Sequence, residues 1–221
     1  GAAARAGILI RDAQALEQGR LIDTVILDKT GTLTQGKPSV TDIVALPPMD
    51  EHDLLRLAAG AQAGSEHPLA HAILTRYGDT APLPRASAFQ SFPGRGLEAD
   101  VDGVRLAIGN RRLMSERAIE TAPLEERATS LENDGRTVMW IAQLAPEARL
   151  LGLIGVADPI KPHAVEAVRR LKAAGVTPVL VTGDNERTAA VVAAHVGIEP
   201  GIAQRLKNGA GFVPAHIQGR H

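Results

Sequence analysis

Asp28-Lys29-Thr30-Gly31-Thr32-Leu33-Thr34 follows directly on the apolar run Val25-Ile26-Leu27. The order places a carboxylate at the mouth of a buried strand, next to a lysine, a tight-turn glycine and hydroxyls. Aspartate is a weak nucleophile in water. It forms an acyl phosphate when lysine and a divalent cation neutralise the charge on an incoming phosphoryl group. A second apolar run, Thr177–Val181, ends in Thr182-Gly183-Asp184-Asn185. There a hydroxyl, an unobstructed backbone N–H and a carboxylate meet at a strand-to-helix turn, a combination that holds a transferring phosphoryl group. A strand ending in an Asp/Thr/Gly turn is common, but the full seven residues from Asp28 to Thr34 point to phosphoryl chemistry by themselves. Thr182-Gly183-Asp184 alone reads as a turn and cap, and gains its phosphoryl reading beside the first motif.

Between the two lie residues suited to a nucleotide. Glu66 and His67, within Ser65-Glu66-His67-Pro68-Leu69-Ala70, sit in the first turn of an expected helix and can hydrogen-bond an adenine edge. A lone histidine there is ordinarily a surface or capping group. Gly94-Arg95-Gly96 is a lone glycine pair that also opens a hairpin. His52, His71, His163 and His195 are spaced singly on helices and read as solvated, not as metal ligands.

Together these stretches resemble the P-type ATPases, ion pumps that cycle through an aspartyl phosphate. The resemblance implies that Asp28 is phosphorylated and that Asp28 and the Thr30 carbonyl are ligands to Mg²⁺. It places Lys29 and Thr32 beside the phosphate, with Thr182, Gly183 and Asp184 forming the second phosphate-side turn. Ser65–Ala70 resembles the nucleotide signature of the heavy-metal-transporting class, which makes Glu66, His67, Gly94, Gly96, Leu97, Gly109 and Asn110 the expected ATP site. Asp102-Gly103 and Gly109–Met114 look more like copper(I) exporters than zinc, cadmium or lead pumps. Haloacid-dehalogenase-like phosphatases, a related branch, carry a second aspartate two residues after the nucleophile. Thr30 at that position disfavours quick hydrolysis of the phospho-aspartate.

The elements must bring these residues together. Leu21–Asp28 and Thr177–Val181 read as parallel strands buried on both faces, with helices near Pro162–Ala174 and Glu186–Val196. Ligands of parallel sheets sit at the strands' carboxyl ends, where Asp28 and Asp184 both fall. The middle reads as an α+β unit. Helices are expected over Asp50–Ala63, from a Ser65 cap to Arg76, and over Pro123–Asn133. A hairpin turns at Asp102-Gly103, and strands cover Thr137–Ala142 and Leu150–Val156. The expected fold is therefore α/β: a haloacid-dehalogenase-like parallel-sheet phosphorylation domain (residues 20–36 and 156–200, partial) with an inserted nucleotide-binding domain (37–155). Residues 1–19 read as a linker from the membrane side. Gly36-Lys37-Pro38 and Ala157-Asp158-Pro159 are the hinge candidates, and Asp158-Pro159-Ile160-Lys161-Pro162 resembles the hinge segment of the family.

Composition narrows the partners. Lys+Arg of 24 against Asp+Glu of 25 leaves no basic surface for nucleic acid, and the lack of cysteine excludes disulfides and thiolate metal sites. No stretch reaches the ~20 apolar residues of a membrane span. The expected setting is a soluble segment on the cytosolic side of a membrane, with no insertion of its own. Its partners would be ATP, Mg²⁺, and the transmembrane and actuator domains of the same pump.

The resemblance runs from about Gly7 to Ile198. The family's later phosphate-touching lysine and its GDGxND motif are not recognisable in the tail 201–221, so a third Mg²⁺ ligand is expected to be missing, and the chain is expected to bind ATP with slow or absent phosphorylation of Asp28. Two further readings follow: a nucleotide-binding module without catalysis of its own, and a free-standing phosphatase, which Thr30 disfavours.

Overall fold

A computed structural model describes residues 19–78, 81–183, 185–199 and 204–205. Asp184 lies outside these residues, as do the expected linker 1–19 apart from Gly19 and the tail 201–221 apart from 204–205. The elements in order are β1 (Thr24–Asp28), β2 (Ser39–Ala45), α1 (Glu51–Gln62), α2 (Pro68–Tyr77), β3 (Ala86–Phe92), β4 (Gly96–Val101) and β5 (Val104–Gly109). They continue as α3 (Arg111–Glu116), α4 (Glu125–Asn133), β6 (Thr137–Ala145), β7 (Arg149–Ala157), α5 (Ala164–Ala173), β8 (Thr177–Thr182), α6 (Glu186–Val196) and β9 (Gln204–Arg205).

Two sheets result, one ordered β1-β8-β9 and the other β2-β7-β6-β5-β4-β3. The first is parallel. The second is antiparallel throughout. Its β4–β5 hairpin turns at Asp102 (φ 49°) and Gly103 (φ 84°), the two positive φ values that a two-residue turn of this type requires.

The six-stranded sheet is covered on both faces. Alternation along the strands sends Leu106, Ile141 and Ile154 toward α1 and α2, where they meet Leu54 and Ile73. It sends Trp140 and Leu153 to the other face, against Leu113, Met114 and Leu131. Each such side chain contributes about 1.5–3 kcal/mol when fully buried. The three-stranded sheet holds a smaller cluster of Leu33, Val168, Leu180, Val192 and Val196, with Leu27 packed against it. Ile26 on the opposite side of β1 is 51% exposed. The expected burial of β1 on both faces is thus corrected, because α5 and α6 cover the same face.

Two strands carry little signal in the sequence. The alternation of β2 is broken by an irregularity between Val40 and Asp42. β3 is exposed almost throughout and is held by pairing with β4. The second helix is capped by His67, not by Ser65, and begins at Pro68.

The chain crosses between the sheets twice, and the crossings are bonded to each other. Thr34 bridges Ile160, Gln35 N donates to the Pro159 carbonyl (2.9 Å), and Lys161 N donates to the Leu33 carbonyl (2.9 Å). No helix among the described residues is long and apolar enough to cross a membrane.

Candidate phosphoryl-transfer and nucleotide site

Asp28 ends β1, and its register partner across the parallel ladder is Val181. Thr182 and Gly183 therefore leave β8 beside the point where Asp28 leaves β1. The Asp28 side chain is exposed and makes no capping bond to the turn that follows. That turn reverses at Gly31 (φ 76°), a conformation that suits glycine. Thr30 and Thr32 are exposed, and Lys29 is buried. Oxygen donors on an exposed carboxylate and on the Thr30 carbonyl are the hard ligands that Mg²⁺ takes.

Thr34, only 1% exposed, holds the turn in shape. Its hydroxyl accepts from Gly31 N (3.2 Å) and lies 2.6 Å from Asp158 Oδ2 and 3.0 Å from the Lys29 carbonyl. With one proton to give, the hydroxyl favours the shorter, charge-assisted bond to Asp158. Asp158 also accepts from Lys37 N (3.2 Å), so a single carboxylate ties the turn to both crossings. Lys161 Nζ donates to the Gly31 carbonyl from the same side. Asp158 and Lys161 were expected only as parts of a hinge; their contacts with the Asp28 turn span 124 and 130 residues and leave no local trace.

The residues expected to bind nucleotide fall into two groups. Glu66 and His67 are exposed at the start of α2, in the layer that covers one face of the six-stranded sheet. His67 Nδ1 accepts from Leu69 N (3.2 Å), so a neutral ring carries its proton on Nε2 and presents a donor. Gly94, Gly96, Gly109 and Asn110 form the second group, next to α3 on the opposite face. Asn110 Nδ2 donates to the Gly94 carbonyl (2.8 Å), its Oδ1 accepts from Leu113 N (3.2 Å), and its backbone N donates to the Arg95 carbonyl (2.8 Å). Asn110 thus caps α3 and braces the Gly94–Gly96 turn in one step.

Gly96 and Gly109 are register partners. A Cβ on Gly96 would lie 2.1 Å from the Ile108 carbonyl oxygen, and one on Gly109 would lie 2.1 Å from that of Arg95. Their missing side chains make room for each other's strand, a packing reason for glycine at both positions. The Leu97 side chain is buried in the core beside α1 and α2.

Sequence reasoning passed over a charged cluster next to Asn110. Arg111 lies over the Trp140 ring (5.3 Å) and pairs with Glu125 (2.8 Å) and with Glu132, which is 1% exposed. Burial pulls the Arg111 pKa down, but bonds and charges from Glu132 and Glu125 outweigh it and hold it above its ordinary value. On the α3-covered face of β4, the buried Glu98 accepts from Arg105 (2.9 Å) and Arg117 (2.5 Å).

Comparisons agree with this geometry. A family model for haloacid dehalogenase-like hydrolases matches residues 22–209. A copper-transporting P-type ATPase of Rhizobium leguminosarum is 42% identical over 210 residues, 95% of this chain and 25% of that protein. A silver exporting P-type ATPase of Salmonella typhimurium is 39% identical over the same shares. The chain therefore spans about a quarter of the length of these relatives. Among solved structures, a zinc-transporting PIB-type ATPase in the E2.Pi state is 36% identical with a TM-score of 0.61, covering 92% of this chain and 32% of that one. The catalytic domain of the CPx-ATPase CopB-B, 20% identical with a TM-score of 0.65 over 89% of this chain and 66% of that one, shares the fold. The parallel pair that sets Asp28 beside Thr182 and the match over residues 22–209 lead to one conclusion: the chain belongs to the haloacid dehalogenase-like hydrolases and is a relative of the heavy-metal P-type ATPases.

Proposed function

We infer that this chain is the ATP-binding and phosphorylation portion of a heavy-metal P-type ATPase, on the cytosolic side of a membrane. One observation carries the reading: the Asp28↔Val181 register, which sets a nucleophile-ready carboxylate beside the Thr182–Gly183 turn. Copper(I) is the proposed cargo. It is supported by relatives whose names specify copper or silver transport, and Cu⁺ and Ag⁺ share soft, monovalent chemistry.

In this reading residues 37–155 bind ATP and residues 20–36 with 156–200 accept the phosphoryl group. Glu66 and the His67 Nε2–H meet the base, and the braced Gly94–Asn110 corner receives the rest of the nucleotide. An Asp28 carboxylate oxygen attacks the γ-phosphorus, the bond to the β–γ bridging oxygen breaks, and ADP leaves. Lys29, Thr32, Thr182, Gly183 and Asp184 line the phosphoryl position, where fixed donors and charges lower the barrier. Asp28 and the Thr30 carbonyl would hold Mg²⁺, which supplies charge neutralisation when bound. Phosphorylation would act on transmembrane and actuator parts of the same pump.

Two measurements on the chain test this. Titration with ATP should give a Kd at least about tenfold weaker for His67→Gln, the loss expected for one good donor. Incubation with γ-labelled ATP and Mg²⁺ should give at most a slowly formed acid-stable phosphoenzyme, in keeping with the expected loss of a third Mg²⁺ ligand, and Asp28→Asn should abolish it. ATP binding with no label on Asp28 would leave a nucleotide-binding module. That reading is favoured by the two large cores of the six-stranded unit against the single small cluster of the other.

A further inference from the structure

The six-stranded unit touches the three-stranded one through a buried carboxylate. Glu132, near the end of α4, is 1% exposed, too deep for a carboxylate without partners. Its own unit supplies Arg111, whose NH2 lies 3.1 Å from Oε2 and whose NH1 bonds Oε1. The other unit supplies the rest. Asn185 Nδ2 donates to Oε1 (2.8 Å) and Arg187 NH1 to Oε2 (3.1 Å).

The surroundings fit the same seam. Arg187 also reaches Thr129 Oγ1 (3.4 Å), and the buried Thr188 hydroxyl donates to the Arg136 carbonyl (2.9 Å). Gly135, at φ 80°, sits where a Cβ would press on Val191 Cγ1 at 3.2 Å. Both ends of the Asn185 amide are engaged, because its Oδ1 accepts from Thr188 N (3.0 Å) and so caps α6. The start of α6, which follows the Thr182–Gly183 turn, is thereby fastened to Arg111, the neighbour of Asn110.

We propose that Glu132 is a positioning residue, the shared acceptor of a latch that holds the two units in one relative arrangement and ties the Asn110 corner to the Thr182–Gly183 turn. The Arg111–Glu132 pair is the preformed half, since both residues belong to the six-stranded unit and stay together when the units part. Asn185 and Arg187 are the half that docks. A latch of hydrogen-bonded charges suits a joint that must open, because water can replace the docking donors when they leave. The significance given to Asn110 and to the Thr182 turn rests on the phosphoryl-transfer reading; the latch does not.

The chain has no cysteine, so a labelled pair can be introduced cleanly. Spin labels at Ser115→Cys on α3 and Ala173→Cys on α5, both exposed positions in different units, report the spacing between the units. Without nucleotide the parent pair should give one narrow distance. Arg187→Ala and Glu132→Gln should each raise the population at other distances by about tenfold, the effect of losing one charge-assisted bond. Arg187→Lys should recover part of the narrow distance. Arg127→Ala, which removes the α4 arginine paired within its own unit to Asp42, should change nothing. Arg187 lies outside the six-stranded unit, so that unit's thermal melting should not move in Arg187→Ala, which separates a latch from general destabilisation. Distributions for Arg187→Ala and Glu132→Gln that overlay the parent would overturn the latch. Absence of ATP binding by the parent would instead overturn the functional reading and leave the distance result standing.

Discussion

At the scale of single residues, His67 has one observed role and one proposed role, which ordinary substitutions confuse. Its Nδ1 caps α2, and in the proposed function its Nε2–H meets the base of ATP. His67→Ala should lower stability by about 1 kcal/mol through the lost cap. His67→Asn, a strong capping residue, should keep the melting temperature while still weakening ATP binding. If His67→Asn binds ATP as the parent does, capping is the only role of this histidine. Thr34 makes a sharper structural case. Thr34→Val keeps the shape but strands Gly31 N and one Asp158 oxygen in a partly buried setting. Denaturant unfolding should show a loss of about 2 kcal/mol, the usual penalty for an unsatisfied buried polar group. Asp28, Thr182 and the Asp50 cap of α1 could be placed from the sequence because each sits at an element boundary with local chemistry, whereas the α2 cap falls at His67 and not at the expected Ser65. Asp158 and Glu132 could not, since their partners are fixed only when distant segments meet.

At the scale of elements, the β4–β5 pairing depends on two opposed glycines. Ala at Gly96 or at Gly109 brings a methyl to about 2 Å from a carbonyl oxygen, and at Gly96 it also meets φ 142°. Either change should cost about 3 kcal/mol or more, beyond what surface changes do, because backbone must shift. Chemical unfolding of Gly96→Ala and Gly109→Ala checks this, with Gly64→Ala as a control where nothing lies within 4 Å. A stability loss without any effect on residual ATP affinity would mean that the glycines serve the sheet alone. The hairpin at Asp102-Gly103 and helices α1 and α6 were legible because period and turn chemistry agree there. β2 and β3 were not, since an irregularity spoils the alternation of one and the other is an exposed edge strand with almost nothing to bury.

At the scale of the whole molecule, the two units are unequal. Among the described residues, the six-stranded unit carries two broad cores with Trp140 between sheet and helices, whereas the three-stranded one shows a single cluster around Leu180 and Val168. Trp140→Ala should cost about 3–5 kcal/mol. Hydrogen exchange should then show protection lost in both units, whereas Val168→Ala should loosen only β1, β8, α5 and α6. Equal and independent loss in both variants would count against this ordering. Fold class was visible from the sequence at this scale because the change from parallel to antiparallel patterning is global. The seam between α4 and α6 was not, being made of side chains that any solvated helix would carry.

The parallel ladder between β1 and β8 has a further consequence for how the chain reaches its native state. Asp28 and Val181 are about 150 residues apart, and closing so long a loop is slow and entropically costly. The bonded crossings at Thr34 and Ile160 change that search. Once β2 and β7 have paired, with Ser39 opposite Ala157, the intervening segment no longer behaves as loose chain. β1 then seeks a partner across a short effective tether. On a ribosome, β1 would emerge well before β8 and wait, and the strand that carries Asp28 would be among the last of the described elements to find its place.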